Sequence, residues 1–99
     1  MKLRPDETLL RGNWVLAGDK VVGDETCHRI ESLLASHLVR LGNDWSGWET
    51  LFADPDDKRL WERTYEHGEW HGGGPPTLRL ISLEDARKKY GEDAVVFNF

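Results

Sequence analysis

One cysteine, Cys27, stands in a chain of 99 residues, so no internal disulfide can form, and the usage fits a reducing compartment. Long apolar runs are also missing. The longest span only a few residues, as in Val95–Phe97, so no transmembrane helix is expected. Acids occupy the N-terminal stretch MKLRPDETLL where a signal peptide needs its apolar core, which makes a cytoplasmic protein the expectation. Bases are in deficit, with 13 Lys and Arg against 18 Asp and Glu, a net charge of −5. Such a balance argues against nucleic acid as a direct partner. Repeats, linkers and low-complexity tails are lacking, and 11.4 kDa leaves room for one domain, residues 1–99. With 38% hydrophobic residues the chain is too apolar for disorder, and a mean hydropathy of −0.61 is too polar for a membrane protein.

Catalytic signatures are equally scarce. His71–Gly74 (HGGG) resembles an oxyanion-hole string, but no GxSxG elbow occurs and no histidine follows His71. The GGGPP run lacks the Lys-Ser/Thr element of a phosphate-binding loop, and its prolines remove donors. Cys27 and His28 are neighbours about 100° apart on a helix and cannot pair as nucleophile and base. His67 and His71, with Glu66 and Glu69, have metal-ligand spacing only on a helix, which Gly68 and the glycine run interrupt. No cofactor is implied.

What is present is aromatic and acidic. There are five tryptophans. Trp14, Trp48 and Trp61 fall in predicted strands and read as core. Trp45 and Trp70 fall in loops, where core packing and partner contact stay equally open. Between Thr26 and Asp57 two bases face six acids, so most of the charge deficit lies in the middle third. This is either a solubilising surface or a face for a basic partner.

Periodicity gives the elements. Leu9–Leu16 and Lys20–Val22 read as a hairpin around Gly18. Ile30, Leu33, Leu34, Leu38 and Leu41 share a helical face, with Asp24 as N-cap and Gly42 as the stop. Trp48–Ala53 and Leu60–Tyr65 read as strands joined by DPDDK, Thr77–Ile81 as another, and Ala94–Phe99 as a closing strand. Ser82 caps a short helix ending before Gly91. The order ββαβββαβ predicts an α+β domain with a mostly antiparallel sheet and both helices, one long and one short, on one face.

A set of short motifs runs through the chain in order: Gly12–Val15 with Trp14, then Asp24, Glu25, Cys27, Arg29 and Ile30. Gly47, Trp48 and Leu51 follow, then Asp54 and Pro55. Arg59, Trp61, Glu62 and Tyr65 come next, and finally His71, Gly72, Gly73, Gly74, Pro75 and Pro76. Over nearly its whole length the sequence resembles the Immunity protein 27 family of bacterial polymorphic-toxin systems. Two positions depart from that pattern: Lys58 stands where a glycine usually precedes the arginine, and Glu66 where a proline usually follows the tyrosine. The resemblance implies a small cytoplasmic protein of contact-dependent bacterial competition that binds a cognate toxin domain and blocks it without catalysis. On the residues, the expected binding face comprises Glu49, Asp54, Asp56, Asp57 and Glu62 with Trp70 and His71, its acids imitating phosphates in a basic cleft such as a nuclease has. Two other readings remain: a small metal-dependent hydrolase centred on His67, Glu69 and His71, and a ligand-binding module built on the His67–Pro76 loop.

Overall fold

The computed structural model describes residues 2–66 and 73–96. Its main sheet has five antiparallel strands in the order β1-β7-β6-β5-β4, where β1 is Leu9–Arg11, β4 Val39–Asn43, β5 Thr50–Ala53, β6 Leu60–Thr64 and β7 Thr77–Ile81. A separate two-stranded ribbon pairs β2 (Trp14–Ala17) with β3 (Lys20–Gly23), and the helices are α1 (Glu25–Ser36) and α2 (Leu83–Tyr90). This is the expected α+β architecture with antiparallel pairing. Among the described residues no helix is long and apolar enough to cross a membrane.

Strand alternation divides the core in two. Phe52, Trp61, Leu78 and Leu10 face one side and pack with Ile30 and Leu33 of α1. Leu51, Ala53 and Leu60 face the other and pack with Ala86 of α2 and Val95. The helices therefore cover opposite faces, not one face as the element order suggested. Both begin as expected: Asp24 accepts the Cys27 N–H at 2.9 Å and Ser82 that of Asp85 at 3.1 Å.

Three elements differ from the sequence reading. The strand expected over Leu9–Leu16 breaks at Gly12, whose N–H bonds Pro76 O at 2.9 Å. A Cβ there would lie 2.5 Å from Cys27 Sγ and 2.8 Å from that carbonyl, so only glycine lets the chain turn against α1. Helix α1 stops at Ser36, where the N–H groups of His37 and Leu38 both bond Leu33 O, and Val39–Asn43 is a strand. Leu38 and Leu41 fit the helical spacing but belong to different cores, one on each side of the sheet. In place of a closing strand from Ala94, residues Asp93–Val95 form a 3-10 turn, and 97–99 lie outside the described residues.

The departure at Lys58 acquires a physical meaning: it has φ +66°, the left-handed region glycine enters freely. A side chain there costs about 1–2 kcal/mol, of which a glycine forfeits roughly 0.4–1 kcal/mol through its freer unfolded chain, so Lys58→Gly is expected to raise the thermal midpoint by about 2–4 °C in a calorimetric scan.

Candidate functional site

One end of the sheet gathers the chain's aromatic surface. The register pairs Thr50 with Arg63 and Thr64 with Thr77, so the 44–49 loop, the start of the segment after β6 and the residues entering β7 all emerge there. Gly12 bonding Pro76 O brings the start of the β2–β3 ribbon to the same end. Trp14, 38% exposed, donates its indole N–H to Gly73 O at 3.2 Å, and the Arg63 guanidinium lies 5.2 Å from the Tyr65 ring centroid. The described part of the glycine–proline motif is thus a seat that ties the ribbon to the sheet, with Gly74, Pro75 and Pro76 buried.

The loop between β4 and β5 is organised from within. One Asp44 carboxylate oxygen accepts from Ser46 Oγ at 2.7 Å, Gly47 N at 3.0 Å and Glu49 N at 3.3 Å. Asp44 N–H bonds Glu49 O at 2.9 Å, closing the loop, and Gly47 supplies a φ of +80°. Partial burial would raise the Asp44 carboxyl, but these donors outweigh it and hold the pKa below the ordinary value. The result is a rigid turn that holds Trp45 at 95% and Trp48 at 72% exposure. Trp48, expected in a strand core, is therefore surface, and of the three strand tryptophans only Trp61 is buried in full.

The expected acidic face comes apart. Glu62 is wholly buried beneath α2. Its carboxylate accepts from Arg79 Nε at 2.7 Å and Tyr90 Oη at 2.6 Å, with Lys89 Nζ 2.5 Å away. Burial alone would push that carboxyl up, but Lys89, Tyr90 and Arg79 together hold it down. Burial, reinforced by the Glu62 charge, pushes the Tyr90 hydroxyl up. Asp54 is 2% exposed and serves the β5–β6 turn: its Oδ1 accepts the Asp56 N–H at 2.8 Å and lies 3.2 Å from His37 Nε2. Glu49 pairs with Lys89, Asp56 with Lys2 at 2.9 Å and Asp57 with Arg59 at 2.6 Å. Asp56 and Asp57 remain about half exposed at the opposite end of β5 from the tryptophans. An acid count cannot show this, because it registers charge and not the partner each carboxylate already faces.

Several motif residues have structural work. Trp61 fills the α1-side core, and Pro55 sits half-buried in the β5–β6 turn. Arg59 lies 5.0 Å from the Trp61 ring and donates to the backbone oxygens of Glu7 at 3.0 Å and Arg4 at 3.3 Å. Arg29 grips both Glu7 carboxylate oxygens at 2.6 Å and donates to Lys2 O at 3.0 Å. Together the two arginines strap residues 2–7 across the fold. Arg29 holds the Glu7 carboxyl at about 2, against 4.5 ordinarily. A depressed carboxyl contributes stability above its unfolded pKa and loses it as pH falls through the folded value. Glu7→Gln is therefore expected to cost about 2 kcal/mol near neutral pH, a penalty that fades between pH 4.5 and 2. Urea titrations of both proteins across that range measure it.

Trp70, His71 and Gly72, with His67 and Glu69, lie outside the described residues. Among the described residues, His37, Asp54 and Asp56 bring three potential metal-ligating atoms within 4.8 Å of one another. One of those oxygens already faces the Lys2 ammonium and another the Asp56 N–H. Both are thus committed to the turn and the strap.

Comparison with known proteins returned one family: the model for Immunity protein 27 matches residues 16–82. No curated protein and no solved structure matches the chain.

Proposed function

The chain belongs to the Immunity protein 27 family, and on that footing we propose that it neutralises a cognate toxin domain by stoichiometric binding through the aromatic end of its sheet. The observation that carries this reading is the pair Trp45 and Trp48, held outward by a loop whose hydrogen bonds are satisfied within itself. Exposed tryptophan makes no contribution to a core, whereas buried at an interface each ring covers up to about 250 Å² and tends to dominate affinity. Because the loop is already ordered, binding avoids most of the entropic cost of fixing it.

Charge plays a separate part. A net charge of −5 raises the encounter rate with a basic surface, the kind carried by toxins that cut nucleic acid. Asp56 and Asp57 are the members of the expected acidic set best placed to steer, with Glu49 beside the aromatic loop; Asp54 and Glu62 support the fold instead. Inhibition acts by occupancy, with no turnover.

The test is a titration of the toxin domain encoded beside this chain. Toxin activity should fall linearly and vanish at one equivalent, with a 1:1 complex in solution. Inactivation well below one equivalent, or no complex, would overturn the reading.

A further inference from the structure

Among the described residues the sheet and the ribbon together present four open strand edges, and three of them carry a device that discourages pairing. Strand β1 has three residues and ends in Arg11. Strand β4 contains Arg40 and an irregular register between Arg40 and Gly42. Strand β3 opens on Lys20. Strand β2, with the sequence WVLA, has no charge, no proline and no bulge, and all four of its residues are exposed. Leu16 is 74% exposed and Val15 44%. The hairpin closes through Gly18–Asp19 between paired Ala17 and Lys20, so by the alternation of an antiparallel ladder Val15 bonds β3 while Trp14 and Leu16 turn their N–H and C=O outward.

We propose that the open edge of β2 receives an extended strand of the cognate toxin, adding a third strand to the ribbon. This inference rests on the immunity reading above and deepens it by naming the second contact. A second copy of the chain fits the edge less well. Four residues span only about 13 Å, and self-pairing over that length falls far short of the roughly 800 Å² per partner that a stable interface needs. The edge must therefore act with another patch. Strand β1, which leads into the ribbon, stands three interstrand spacings from β5, about 15 Å, and the tryptophan loop leaves the same end of the sheet. One partner of ordinary size covers both. The main-chain pairing gives register, the open ladder accepts alternating side chains, and exposed Leu16 offers an apolar side chain of the edge strand itself.

Hydrogen exchange on the wild-type protein tests this without altering the fold. On adding the toxin domain encoded beside this chain, the Leu16 and Trp14 amides should slow at least tenfold, while Val15, already bonded within the ribbon, changes little. Leu16→Pro removes an outward donor and blocks a docking strand, and should weaken binding at least thirtyfold; Val21→Pro, the same change on the edge of β3, should leave it unaltered. Leu16→Asp provides a variant with its backbone intact and should weaken binding likewise. Unchanged Leu16 exchange in a formed complex would overturn the edge contact and leave the immunity reading standing. Failure of the wild-type chain to form any complex would overturn both. Equal loss from Leu16→Pro and Val21→Pro, with Leu16→Asp at wild-type affinity, would also overturn the edge contact.

Discussion

Replacing Trp45 and Trp48 together by alanine is expected to weaken toxin binding at least a hundredfold while leaving the unfolding midpoint within about 4 °C of wild type. The first half follows from the cost of truncating an interfacial tryptophan, about 2–4 kcal/mol for a central anchor. The second follows from exposure: rings that are 95% and 72% solvated make no core contact, and surface changes of this kind stay within about 0.5 kcal/mol. Each single variant should lose part of the affinity, and isothermal titration calorimetry beside thermal unfolding separates the two effects. A double variant that protects toxin-challenged cells as well as wild type would remove the aromatic end from the interface. So would a double variant that fails only by unfolding.

Glu62→Gln should produce the opposite pattern. The carboxylate neutralises Lys89 and Arg79 and accepts from Tyr90 in a fully buried site, so removing its charge strands two cations and weakens that acceptor. Breaking one partner of such a network costs about 3 kcal/mol, at the low end of the range because Lys89 keeps Glu49 and Arg79 is half exposed. Out of a total of roughly 5–15 kcal/mol this is a large share. The folded fraction should nevertheless bind toxin with wild-type affinity, since no atom of Glu62 reaches the surface. Urea denaturation together with affinity measured at low temperature decides the matter. Normal stability with lost binding would mean that Glu62 faces the partner after all.

Trp48 and Glu62 also show where sequence is legible. Local chemistry reads directly: Asp24 and Ser82 cap their helices because a short acceptor precedes each amphipathic run, and the two-residue spacing of Trp61 and Arg63 marks a strand. What stays hidden depends on partners distant in the chain. Leu38 and Leu41 continue the helical spacing of Ile30, Leu33 and Leu34, and only their packing on opposite sides of the sheet reveals a strand. Glu62 reads as an acid on a half-exposed strand because nothing local announces that α2 crosses that face carrying Lys89 and Tyr90. Trp48 fits a strand pattern beginning at Trp48, but the hydrogen bonds of Asp44 delay strand pairing until Thr50 and leave the ring outside. The family resemblance identified the motif residues. It could not divide them into those that brace the fold, such as Arg29, Arg59 and Trp61, and those left facing solvent, such as Trp48.

The self-contained turn beneath the two tryptophans has an evolutionary corollary. Nearly all the bonds that shape it run among residues 44–49, so its two tips can be exchanged without disturbing strand register or either core. Under the interface proposed above, a lineage facing a changed adversary can therefore rewrite its recognition there at almost no thermodynamic risk, while Asp44 and Gly47 stay behind as the frame on which new tips are mounted.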